Sequence, residues 1–219
     1  MIRQGVRAVR EMYGLTKGLG NLRVMLGSGL VGMVAAGLLN PVMPLYLRSR
    51  GLGFQEIGLL YTVGSLLPIF VQPVLGALSD RHGRKPFVVG LSLITSLMVP
   101  AVALVDDPKP LAAVMILKML LSRSAAPVSN AMVADFAPTK QRATIFAMLD
   151  ATSNLVFVAA LFASSAVIRA LSVSGTFFLA GALFLLGSLL LLALDDSQPV
   201  PRAEVGAGGA QAGSRPAPA

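Results

Sequence analysis

Gly76-Ala77-Leu78-Ser79-Asp80-Arg81-His82-Gly83-Arg84-Lys85-Pro86 decides how this chain is read. The stretch is a charged turn caught between two long apolar runs. Gly76 offers a bare surface on which another helix can approach closely. Asp80 places an acid one helical turn later. Gly83 permits a sharp reversal between two helices. Arg81, Arg84 and Lys85 form a cationic cluster where lipid would meet water.

The flanking apolar runs identify the solvent. Of 219 residues, 55% are hydrophobic and 13% charged, and the mean hydropathy is +0.75. Soluble domains carry about 25% charge. A water-soluble core of this size could not hide so much apolar surface, whereas lipid itself solvates a helical membrane protein. The net charge of +8 would suggest nucleic acid in a soluble chain. Here the cations flank apolar runs, which favours membrane topology and anionic lipid instead. Cysteine is absent, which excludes disulfides and thiolate metal sites. The single histidine, His82, lies in the charged stretch and reads as a solvated side chain. No phosphate-binding glycine loop, metal-ligand cluster or nucleophile–base pair has useful spacing. The expectation is therefore a non-enzyme without metal or cofactor.

Six apolar segments of spanning length are predicted, near 22–47, 56–77, 86–105, 110–133, 143–168 and 172–194. The fold class is all-α and polytopic, with a six-helix transmembrane domain over 22–195. Asp106-Asp107-Pro108-Lys109-Pro110 is a clear breaker run. The turn around Arg169 is the weakest connector. Residues 1–21 are basic, with Ile2, Val6, Val9 and Tyr13 at helical spacing. They read either as an amphipathic surface helix or as a positive leader. Residues 196–219 are rich in Ala, Gly, Pro and Ser and read as a disordered cytoplasmic tail. An inside N-terminus puts Arg3, Arg7, Arg10, Lys17, Arg23, Arg81, Arg84, Lys85, Lys140 and Arg142 on the cytoplasmic side, against Arg48, Arg50, Lys109 and Arg169 outside. That bias predicts a plasma-membrane protein with both termini cytoplasmic.

The stretch from Gly76 to Lys85 resembles the G-x-x-x-D-R-x-G-R-K loop between the second and third helices of the major facilitator superfamily. A second match supports it. Asp135-Phe136-Ala137-Pro138-Thr139-Lys140-Gln141-Arg142 is similar to the family's D-x-x-P…R loop after helix four. The resemblance implies that Gly76, Asp80, Arg81, Gly83, Arg84, Lys85, Asp135 and Arg142 are gating residues rather than substrate ligands. It implies that Gly76 packs on a helix of the family's other half, and that the contacts of this loop break during alternating access. Arg142 is a candidate bridge to Asp80. One departure concerns helix five. Residues 151–159 contain no Gly or Pro, unlike the Gly/Pro-rich motif of the family's proton antiporters.

Ionisable residues inside apolar spans are costly and face a cavity or a partner as a rule. Lys118, Arg123 and Asp150 are such residues. Lys118 reads as a snorkelling side chain. Arg123 and Asp150 lie at similar depths and form a candidate pair. Either they build a central site, in which Arg123 binds an anionic group and Asp150 answers to protons, or they lock two helices. Arg123, Pro127 and Asn130 share one helical face, as do Asp150 and Asn154. Ser28, Gly32, Ala36 and Asn40 form a small-residue row, and Asn40-Pro41 breaks that helix near its end. Helices one and four line the central cavity in the family. The resemblance therefore makes Asn40, Arg123 and Asn130 substrate-side candidates, with Asp150 and Asn154 as coupling candidates; Asn40 also suits a simple interhelical hydrogen bond.

Typical members have twelve helices in two halves, each a pair of three-helix inverted repeats. This sequence corresponds to the first half. The expected function is secondary transport of a small solute, as a homodimer or with a second six-helix chain. The alternative is a six-helix membrane protein that transports nothing. No nucleic-acid partner is expected.

Overall fold

The computed structural model describes residues 20–137 and 141–194. Every element among these is helical: α1 (Gly20–Leu39), α2 (Val42–Ser49), α3 (Phe54–His82), α4 (Arg84–Ala103), α5 (Pro108–Phe136) and α6 (Arg142–Leu190), followed by a 3-10 turn, Leu191–Ala193. The expected surface segment and tail, like Lys140, lie outside the described residues, apart from the first residues of α1.

Five helices are long and apolar enough to cross a membrane. The last is too long for one crossing. Its 49 residues would extend roughly 74 Å at about 1.5 Å per residue, more than twice a ~30 Å hydrocarbon layer. Ser172, with φ 66° and ψ 173°, breaks it into two arms, 142–171 and 173–190. The six expected crossings are therefore present, but the turn falls at Ser172, and Arg169 stays inside the first arm.

The first expected span is also divided. Pro41 lacks an N–H, and the chain turns at Asn40 and Pro41 before α2 begins. The charged stretch is the larger surprise. Asp80, Arg81 and His82 form the last turn of α3, and Arg84 and Lys85 the first turn of α4. Gly83 alone makes the reversal, at φ 94°, a backbone region open to glycine and strained for other residues.

The helices pack in a symmetric pattern. α1 lies against both arms of α6, α5 lies against α3 and α4, and α4 lies against α6. Exchanging α1 with α5 exchanges the two sets of contacts, as expected of two inverted three-helix units. Small residues allow the close approaches. A Cβ at Gly37 would stand 2.6 Å from both Ala160 Cβ and the Phe157 carbonyl of the first arm. Ser28 Oγ donates to the Gly187 carbonyl of the second arm at 2.7 Å.

Two apolar clusters result. One, at the α2 end, includes Tyr46, Leu47, Val99, Leu111, Met115 and Phe177. Tyr46 and Phe177 rings sit 4.8 Å apart, and the Tyr46 hydroxyl donates to the Val102 carbonyl near the end of α4. The other, at the Gly83 end, includes Leu22, Val88, Val133, Ile145 and Leu194. Between them α1, α4, α5 and the second arm of α6 present hydroxyls and glycines.

Candidate functional site

The short reversal at Gly83 brings the ends of three helices to one place. Arg84 opens α4 directly beneath the last turn of α3. Its Nε and Nη2 donate to Asp80 Oδ1 at 3.0 and 2.9 Å. Its Nη1 donates to Asp135 Oδ2, in the last turn of α5, at 2.6 Å. One guanidinium thus ties α3, α4 and α5. The fork of donors makes this possible, because a single ammonium lacks two divergent donor edges.

Lys85 does a different job. Its Nζ donates to the Leu194 carbonyl at 2.5 Å, beyond the last turn after α6. A cation at a helix C-terminus satisfies carbonyls that have no helical partner. Arg81 is exposed on α3 beside Pro73, Val74, Ala77 and Leu78. Gly76 is half-buried, yet a Cβ built there would meet nothing within 4 Å. His82 is exposed and its Nδ1 lies 3.1 Å from the Leu78 carbonyl.

Two expected contacts are not made. Arg142 opens α6 as an exposed residue, and the Asp80 carboxylate is taken by Arg84 rather than by Arg142. Arg123 and Asp150 form no ion pair. Similar depth brought them together on paper. Laterally, α5 packs on α3 and α4, while the first arm of α6 packs on α1, so the two helices share no extended contact.

Asn40, Arg123, Asn130, Asp150 and Asn154 are all exposed on the bundle. Asn40 sits at the α1–α2 break, where its backbone N–H reaches the Ala36 carbonyl at 2.9 Å. Gln72 explains the local structure near Arg123. Pro127 has no N–H to offer the carbonyl four residues earlier. Gln72 Nε2 of α3 donates to that Arg123 carbonyl at 3.1 Å. A backbone group left open by proline is thereby satisfied from a neighbouring helix. Lys118 is half-buried in the middle of α5.

Sequence reasoning missed one feature. Ser28, Ser92, Thr95, Ser122, Ser129 and Ser188 line a recess between α1, α4, α5 and the second arm of α6. Spacing at i, i+4 and i+7 of Ser122, Ala126 and Ser129 marks one face of α5 in the sequence. Nothing there reveals which helices meet it.

The family model described as Major Facilitator Superfamily matches residues 25–217. The Quinolone resistance protein NorA of Staphylococcus aureus is 30% identical over 127 residues, covering 56% of this chain and 31% of that protein. The Multi-drug resistance efflux pump PmrA of Streptococcus pneumoniae is 26% identical over 91 residues, 40% of this chain and 23% of that protein. The matched stretches thus cover less than a third of the length of either relative.

Proposed function

This chain belongs to the major facilitator superfamily, and on that premise we propose that it moves a small solute across the plasma membrane by alternating access, together with a second six-helix bundle. Its basic residues favour cytoplasmic termini, which puts the Gly83 reversal at the inner face. The second bundle comes from another copy of this chain or from a different polypeptide segment.

One observation carries the reading. Gly76 is a bare position on a long helix, and nothing within its own bundle requires it to be bare. Elsewhere in the motif, Arg84 and Lys85 are engaged inside the bundle. A glycine kept free beside exposed Arg81 suits docking of an outside helix. Around it α3 also exposes Ile69, Phe70 and Val74.

Gating then follows from the charges. The Asp80–Arg84–Asp135 tie is partly exposed, so each ion pair is weak enough to be remade during a conformational change. Arg123, exposed on α5, is the candidate for meeting an anionic or polar solute. The relatives' names point to drug efflux. Against proton antiport of the drug-efflux type stands the first arm of α6, whose residues 151–159 carry no Gly or Pro.

Cross-linking in native-like lipid tests the assembly. Helical rise places Gly76 about 9 Å from the end of α3, and Ala151 about 14 Å from the start of α6. Both positions are clear of the charged tie. Gly76→Cys in one copy should form a disulfide with Ala151→Cys in another, and solute flux into proteoliposomes should stop when it forms. A chain that remains monomeric in lipid and moves no solute would refute the proposal.

A further inference from the structure

α3 carries two internal prolines, Pro68 and Pro73, in opposite surroundings. Proline has no N–H to offer the carbonyl four residues earlier, and its ring crowds that carbonyl, so a helix bends readily there. Pro68 is buried, and four residues before it Gly64 is pressed against α5. A Cβ at Gly64 would stand 2.7 Å from Met119 Sδ. That part of α3 has no room to bend. Pro73 is exposed, and so is Ile69, whose carbonyl it leaves open.

The fixed part of α3 ends one residue before Pro73, where Gln72 donates to the Arg123 carbonyl of α5. Beyond it, only Ser79 is buried among residues 73–82. The groove along Pro73, Val74, Ala77, Leu78 and Arg81 is lined by α3 alone among the described residues. Near the helix end, Asp80 is held by Arg84, and its carboxylate is more than half exposed. Water replaces an ion pair of that kind at little cost. Gly83, just past the end, has backbone freedom that other residues lack. α4 is anchored separately, by Lys85 on the Leu194 carbonyl and by Val88 and Val89 in the apolar cluster at this end.

We propose that residues 73–82 form a swinging flap, which pivots at Pro73, turns on Gly83 and is latched by the Asp80–Arg84 pair, while residues 54–72 and α4 stay in place. The ten-residue flap is about 15 Å long, and a bend of about 20° carries its tip roughly 5 Å. It bears Gly76 and Arg81, so its swing changes the surface offered to an outside helix without moving the rest of the bundle. The motion lies within one bundle and requires neither transport nor a second bundle.

The chain has no cysteine, so pairs of introduced thiols carry spin labels cleanly. In the full chain in lipid nanodiscs, His82→Cys at the flap tip is paired in turn with Ala147→Cys on α6 and Ile94→Cys on α4, all exposed positions, so that the swing is read along two directions. Pulsed electron–electron double resonance should give one main distance for each pair. Adding Arg84→Gln should open the latch and add a second distance, displaced by roughly 5 Å in at least one pair. Adding Pro73→Ala as well should remove that second distance, because an N–H returns to the Ile69 carbonyl. Thr62→Cys, exposed on the fixed part of α3, should keep one distance to Ala147→Cys in all three backgrounds. Asp80→Asn opens the latch from the other side if Arg84→Gln fails to assemble. The proposal is overturned if neither latch variant moves the His82 label, if the Thr62 label shifts with it, which would make α3 one rigid rod, or if the second distance survives Pro73→Ala, which would mean fraying of the last turn.

Discussion

Arg84 meets Asp135 across 51 positions of sequence, Nη1 to Oδ2 at 2.6 Å, while its other edge holds Asp80 four residues back. A helix start is thereby fastened to two helix ends. The carboxylates are more than half exposed, so the tie contributes little to folding. It sits beside Gly83, the only residue separating α3 from α4, and the proposed gating role rests on that position.

Arg84→Gln should therefore lower stability by about 1 kcal/mol or less, yet reduce solute flux strongly. Arg84→Lys should fail to restore flux, since lysine cannot serve both carboxylates at once. Asp80→Asn should likewise cripple flux and leave membrane insertion intact. Thermal unfolding in detergent and flux in proteoliposomes check the two halves of this prediction. Normal flux in any of these variants would remove the gating role.

Arg123→Ala and Asp150→Asn should act independently. The residues lie on helices without extended mutual packing, so a double-mutant cycle should close within about 0.5 kcal/mol. A larger coupling in stability would mean that they meet in another conformation of the bundle.

Gln72→Leu should destabilise the bundle by about 1–2 kcal/mol, because the Arg123 carbonyl that Pro127 leaves open then has no donor. Restoring an N–H locally, with Pro127→Ala in the same chain, should recover most of that loss. Size-exclusion after graded heating reads both variants.

Ser172→Gly should stabilise the fold by about 1 kcal/mol. Ser172 occupies a backbone region that is essentially reserved for glycine. Its Oγ accepts only a long 3.4 Å contact from the Gly175 N–H, so little is lost with the side chain. A fall in melting temperature would indicate that the hydroxyl matters more than the strain.

Much of the architecture was legible because lipid imposes a simple rule. Backbone groups must be paired inside the protein, which for a spanning segment means mostly within its own helix, so apolar length maps onto crossings. The charged reversal at Gly83, the break at Asn40-Pro41 and the helix start at Pro108 follow from local chemistry. The turn between the last two spans was misplaced because no Gly or Pro marks it. Ser172 takes a glycine-like conformation between two arms that both pack on α1. Likewise, Arg123 and Asp150 matched in depth, but depth is one coordinate of three.

From residues alone come the class of the chain, its number of crossings, its kinship and the place of its charged reversal. These depend on composition, local spacing and single-residue geometry. Which helix touches which came only with the folded bundle: Arg84 rather than Arg142 on Asp80, Gln72 on an open carbonyl, and six hydroxyls gathered from four helices. A helical repeat orders side chains around one axis. It carries no information about the neighbours that axis will acquire, and interhelical packing alone supplies it.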